Sequence, residues 1–262
     1  MRRYCLLLAW LALLSGCAPL HRNVVRFDQT CSEDTLDKRS ARQDDFGPRS
    51  DTGTLECALI SLRGSQDAAW RRTALGSRLC LLLAERNPDP VQREKLAAEG
   101  LRFAEAALAL GADGDGAVHY YLATNLGLAV RDHVTLAAEN LSRLESELQR
   151  AVALSPDIDS GGPLRVLGVL YLRAPPWPAG IGDGDKALEL LKRAVDRHPE
   201  HPLNHLFYAQ ALWEVDGDAS ERVRQEWALG KRLLTEGFWS HNRTFWNGEF
   251  EGFRQQIGVS GR

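Results

Sequence analysis

Three features of the sequence predict an all-helical chain of stacked helical hairpins. Apolar residues recur at helical spacing from about Asp51 onward, Gly, Pro and Asp punctuate those segments, and no alternating strand pattern competes with them. Leu96, Ala97, Leu101, Ala104 and Leu108 form one stripe, and Leu141, Leu144, Leu148, Ala151 and Val152 form a second. Ala187, Leu188, Leu191, Ala194 and Val195 form a third. Breaks at Asn87-Pro88-Asp89-Pro90, Gly111 to Gly116, Ser155-Pro156-Asp157, Pro175 to Gly184, His198-Pro199 and Asp216-Gly217-Asp218 leave room for about nine helices.

The chain opens differently. Two arginines precede an apolar run from Cys5 to Leu14, which stops at Leu14-Ser15-Gly16-Cys17. This is the layout of an export signal, and a run this short does not comfortably cross a bilayer core, which takes about 20 apolar residues. Leu-Ser-Gly-Cys resembles the lipobox of bacterial lipoproteins. The resemblance implies that residues 1–16 are a signal peptide and that Cys17 becomes the lipidated N-terminus; an uncleaved anchor and a plain secretory signal are the alternatives. It also implies a cell-envelope protein facing the periplasm, and Ala18 in place of an acidic residue favours the outer membrane over the inner by the usual sorting rule.

Residues 17–50 are polar and charged and read as a tether, with a root-mean-square span of roughly 30 Å as a flexible coil. Val24 to Thr30 reads equally well as a loosely packed arm. The helical domain is expected over 51–255 and a disordered tail over 256–262.

With 44% apolar and 26% charged residues, the chain can bury a sizeable core. Its net charge is −3, and loss of Arg2 and Arg3 with the signal leaves the mature part more acidic, which argues against nucleic acid as a partner. An oxidising periplasm permits one disulfide among Cys31, Cys57 and Cys80. On antiparallel helices joined at Arg63-Gly64-Ser65, Cys80 would lie about 11 Å too far along the axis to meet Cys57. Cys31 with Cys57 is the better pair, although isolated buried thiols are common.

The best-marked unit runs from Gly162 to Glu200. Leu164, Leu167, Gly168 and Tyr171 share a first helix, and Ala187, Leu191, Ala194 and Pro199 follow at spacings of four, three and five. This looks like a tetratricopeptide repeat, in which small Gly168 and Ala187 let two helices approach closely and the proline ends the second. Leu144, Leu148, Ala151 and Pro156 repeat the second-helix spacing, with Tyr120 to Gly127 as the first helix. The fold class is therefore an all-α, tetratricopeptide-like helical-hairpin solenoid with degenerate repeats, carrying an insertion at Pro175 to Ile181.

No nucleophile elbow, metal-ligand spacing or phosphate loop is present, so neither catalytic nor metal-binding residues are assigned and no cofactor is expected. His198, His201 and His205 are interrupted by Pro199 and Pro202, so they cannot share one helical face as zinc-protease ligands do. Asp113-Gly114-Asp115-Gly116 lacks the distant glutamate of a calcium loop and reads as a turn with a helix cap. Asp183 or Asp185 is suited to cap the helix after Gly182.

The tyrosine pair before Leu122-Ala123-Thr124-Asn125-Leu126-Gly127, and Gly182-Asp183 leading into Lys186-Ala187-Leu188, together with lipobox, tether and repeats, resemble the TatT proteins. These are periplasmic lipoproteins associated with TRAP transporters, and the resemblance covers about Tyr120 to Trp213. It implies a non-enzymatic subunit that docks a periplasmic solute-binding protein, or another envelope protein, and passes it an apolar small ligand; oligomerisation is compatible with it. A general scaffold for an envelope assembly unrelated to transport is the competing reading. First helices of stacked repeats face the groove, so Asn125, Tyr121, Arg165 and Tyr171 are the candidate partner or ligand residues. Trp177, between Pro176 and Pro178 in the inserted loop, is the fifth. The aromatic tail from Phe238 to Phe253 has no counterpart in the resemblance.

Overall fold

The computed structural model describes residues 23–28, 30–31, 46–64, 69–217 and 220–258. The lipobox, Cys17 and most of the expected tether lie outside the described residues.

Ten helices follow one another among the described residues, one more than expected: α1 (Thr52–Gly64), α2 (Trp70–Arg86), α3 (Pro90–Ala109), α4 (Gly116–Val130), α5 (Val134–Leu154), α6 (Gly162–Arg173), α7 (Gly184–Arg197), α8 (Pro202–Asp216), α9 (Glu221–Glu236) and α10 (Arg243–Gln256). Their boundaries follow the local chemistry. Asp89 accepts from the amides of Val91 and Gln92 with Pro90 in the first turn of α3, Asp115 accepts from Ala117, Asp183 from Lys186 and Ser220 from Val223. Helix α8 stops at Gly217, whose φ of 74° suits a residue without a Cβ.

Successive helices pack on one another, and a second set of contacts links α2 to α4, α4 to α6, α6 to α8 and α8 to α10. The even-numbered helices therefore form a contiguous inner layer. At the α6/α7 crossing, a Cβ on Gly168 would lie 2.7 Å from Leu191 Cγ and 3.4 Å from the Ala187 carbonyl oxygen, so only glycine permits this approach. No helix among the described residues is long and apolar enough to cross a membrane.

The packed region begins before Asp51. Val25 and Phe46 are buried in the cluster formed with α1, α2 and α3. A Cys31–Cys57 disulfide ties the arm to α1, Arg63 donates to the Val25 carbonyl at 2.8 Å, and the same guanidinium grips Glu99 through two hydrogen bonds. Cys80 is a buried free thiol. At the other end Ile257 is buried against the cluster of α8, α9 and α10, so ordered packing passes the expected boundary at 255.

Candidate functional site

A cavity of about 1080 Å³, open to solvent on part of its boundary, lies between the inner layer and α5. Ala138, Leu141 and Leu144 of α5, Val169 and Leu170 of α6, and Leu203 and Phe207 of α8 give it predominantly apolar walls. Its volume sits at the upper end of ligand pockets, which span roughly 300–1,000 Å³.

The C-terminal segment walls one side of it. Trp246, Phe250 and Phe253, spaced four and three apart, bury one face of α10 against α8 and α9, and Trp227 Nε1 donates to the Phe250 carbonyl at 3.0 Å. The adjacent face, with Phe245 and Glu249 one turn apart, lines the cavity. From there three side chains reach the opposite side of the fold. The Arg49 guanidinium lies 3.5 Å over the Phe238 ring, Asn242 Nδ2 donates to Glu85 Oε2 at 3.5 Å, and Arg131 stands 5.9 Å over the Phe245 ring. The chain thus forms a ring of helices joined by side chains, with Trp239, Trp246 and His201 packed edge-on or tilted at centroid distances of 4.7–5.5 Å on its inner wall.

One end of the cavity is polar. Arg78 pairs with Asp159 at 3.3 Å, and the Tyr121 hydroxyl donates to the other Asp159 carboxylate oxygen at 3.2 Å. Arg165 donates to Asn204 Oδ1 at 2.7 Å and to the Asp159 and Ser160 carbonyls at 3.2 Å. These bonds hold a turn in which Asp159 and Ser160 have φ of 48° and 53°, left-handed values that side chains disfavour.

Glu85 faces this group with surface open to the cavity and protein all around it. Burial, reinforced by Asp159 and opposed by Arg165 and Arg86, raises its carboxyl to about 7. Burial holds His201 well below its ordinary value, with the positive charges of Arg165, His198 and His205 acting in the same direction, so its ring is neutral. Burial also keeps the Tyr120 phenol protonated. Among the described residues, His201 Nδ1 and Asn242 Oδ1 are buried with no hydrogen-bond partner, a state that costs roughly 1–3 kcal/mol per group.

The sequence matches no known protein family and no curated protein.

Of the five residues expected at the groove, Arg165 alone lines the cavity. Asn125 is fully buried, and its Nδ2 donates to the Ser77 and Tyr121 carbonyls and the Ser77 hydroxyl. A Cβ on Gly100 would meet the Asn125 carboxamide at 2.3 Å, so this side chain clasps α2, α3 and α4 and has no face left for a ligand. Tyr121 is buried behind Asp159. Tyr171 is held between α5 and α7: its hydroxyl donates to Glu145 at 2.7 Å and accepts from Gln149, with Lys186 5.3 Å over the ring. Trp177 is 84% exposed and stands outside the cavity wall, although its loop neighbours Pro175 and Ala179 are part of that wall.

The histidines have separate surroundings. His198 lies 2.9 Å from Asp157, while His205 lies 2.7 Å from both Glu226 and the Pro199 carbonyl. Sequence reasoning missed Glu85, Asp159, Trp239, Asn242 and Trp246. Only the density of aromatic residues between 238 and 253 signalled that the tail packs on something.

Proposed function

We propose that this chain is a binding protein and not an enzyme: a tetratricopeptide-like hairpin solenoid that carries an apolar ligand in its closed concave face. It is anchored in the envelope through a lipid on Cys17 and serves as the accessory subunit of a TRAP-type transporter, docking the solute-binding protein. The observation that carries this reading is the cavity of about 1080 Å³ with apolar walls inside a ring closed by α10. Water in such a space makes few hydrogen bonds, so a hydrocarbon occupant displaces it favourably. Trp177 supports a docking role, because an exposed indole beside the wall residues Pro175 and Ala179 suits an anchor at the mouth of the cavity.

The competing reading is a general scaffold of an envelope assembly. Capture from a membrane extract with the full-length chain and with Trp177→Ala separates the two when retained proteins and lipids are identified by mass spectrometry. Retention of a periplasmic solute-binding protein together with an apolar small molecule, weakened in the variant, is the expected result. Retention of an unrelated envelope complex with no apolar small molecule would replace this reading with the scaffold.

A further inference from the structure

The fourth residue of three successive inner helices makes the same bond. His119 in α4, Arg165 in α6 and His205 in α8 each reach the carbonyl oxygen of the residue six positions earlier, in the turn that leads into the helix. His119 Nε2 lies 2.9 Å from the Asp113 carbonyl, Arg165 donates to the Asp159 carbonyl at 3.2 Å, and His205 Nε2 lies 2.7 Å from the Pro199 carbonyl. In the two histidines the other nitrogen is engaged as well. His119 Nδ1 lies 2.6 Å from Glu147 Oε2 on α5, and His205 Nδ1 lies 2.7 Å from Glu226 Oε2 on α9. Each ring therefore ties the turn between two hairpins to the second helix of the hairpin that follows. Both histidine side chains are at most 2% exposed, so water does not stand in for either bond.

A carbonyl and a carboxylate only accept, and a neutral imidazole has a single N–H to give. Making both bonds takes a second proton, which sits on the ring because imidazole holds protons more strongly than a carboxyl does. Arg165, in the equivalent place, always carries its donors. We propose that His119 and His205 are proton-held clasps of the joints before α4 and α8, on either side of a permanent clasp made by Arg165 before α6, and that loss of the proton loosens those two joints and spares the third. The proposal is independent of what the cavity binds. Since α4 and α8 flank α6 in the inner layer, it makes the spread of the ring depend on pH while the middle hairpin stays fixed.

The surroundings of His205 favour the proton. Burial pulls its value down, but the bonds to Glu226 and the Pro199 carbonyl, with the charges of Glu226 and Glu200, outweigh burial and raise it above the ordinary 6.5. The clasp is thus whole below 6.5 and is lost as pH rises through the raised value. Glu226 faces His205 from α9, Glu200 from the turn after α7 and the neutral His201 from the start of its own helix, with Arg165 of α6 beyond His201. From α10 comes an apolar group, the Phe250 ring, which meets His205 at Gly230. Around His119 stand Glu147 from α5, Asp113, whose carboxylate pairs with Arg150 of α5 at 3.2 Å, and Asp115, which caps Ala117.

Hydrogen–deuterium exchange of the full-length protein at about pH 6 and about pH 8.5, corrected for the intrinsic exchange rate, reads the three joints separately. Protection of the turns before α4 and α8 is expected to fall about tenfold at the higher pH, with the turn before α6 changing far less. In His205→Gln, which keeps one donor and cannot take the second proton, the turn before α8 should be unprotected already at the lower pH and the turn before α4 should behave as in the wild type. His119→Gln should give the reverse pattern. Two-bond proton–nitrogen NMR of the wild-type histidine rings, assigned by the signal missing from each variant, adds a readout that needs no folded variant at high pH: both nitrogens of His119 and His205 should carry hydrogen at about pH 6. One bare ring nitrogen in either residue at that pH would overturn the clasp. Equal protection of the two turns at both pH values would overturn the switch, and a loss shared equally by all three turns would overturn its restriction to the histidine joints.

Discussion

Asn242 and Glu85, 157 residues apart in sequence, are joined by a hydrogen bond of 3.5 Å from Nδ2 to Oε2 across the polar end of the cavity. Behind Asn242 the aromatic residues of the C-terminal segment pack on α8 and α9, so this contact belongs to a wall and not to a loose tail.

Truncating that wall should be expensive. Trp246 is buried and touches both His201 and Trp239. Trp246→Ala is expected to lower the unfolding free energy by about 3–5 kcal/mol in denaturant titrations. A loss below about 1 kcal/mol would show that α10 does not pack as described.

The raised carboxyl of Glu85 has a consequence for stability. Its folded value of about 7 lies above its ordinary value of 4.5, so the folded state binds more protons between those limits. The stabilisation is fully present below pH 4.5 and is lost as pH rises through 7, by at most about 3 kcal/mol. His201 works in the opposite sense. Its depressed value leaves stability intact above 6.5 and reduces it as pH falls below that. Melting curves of Glu85→Gln across this range should show the decline toward pH 8 reduced and the acid-side decline retained. An unchanged profile would mean that Glu85 ionises freely in the fold.

Gly168 sits at the close crossing of α6 and α7. Leu there would drive its Cβ to 2.7 Å from Leu191, and overpacking of this kind typically costs about 1–3 kcal/mol. Gly168→Leu is expected to lower the melting temperature while the helical spectrum persists. An unchanged value would remove the α6/α7 alignment.

The Cys31–Cys57 bond closes a loop of 26 residues. By chain entropy such a loop contributes about 3–4 kcal/mol. Cys31→Ser with Cys57→Ser should therefore shift the denaturation midpoint to lower denaturant, and reductant should shift the native protein by the same amount but leave the double variant unmoved. Equal midpoints with and without reductant would show that the arm is not tied to α1 in solution.

Much of this was legible in the sequence because it is local. The stripes at Leu96 to Leu108 and Ala187 to Val195 became helices, and Asp115 and Asp183 became caps, since helical period and capping depend on neighbours in the chain. Register excluded Cys57 with Cys80 and left Cys31–Cys57 as the better pair, but it did not settle that a disulfide forms; the structure holds that pair. The site was not. Asn125 was read onto the groove from its place on a first helix, but the face it occupies is turned toward Gly100 and Ser77. The cavity's polar end is assembled from α2, two inter-helix turns, α6 and the segment before α10, contacts too distant in sequence for any period to encode. Trp177 was readable as exposed, because two flanking prolines keep it off a helix.

The central claim, that the closed ring holds an apolar chain against its aromatic wall, is tested most directly by quenching of tryptophan fluorescence with a bromine-tagged dodecanoate. Trp239 and Trp246 line the cavity, and bromine quenches only at contact. Saturable quenching of the wild type is expected, largely abolished in Trp239→Phe with Trp246→Phe and unaffected by Trp177→Phe. Quenching that survives the double substitution, or that rises linearly without saturation, would contradict a bound chain in the ring.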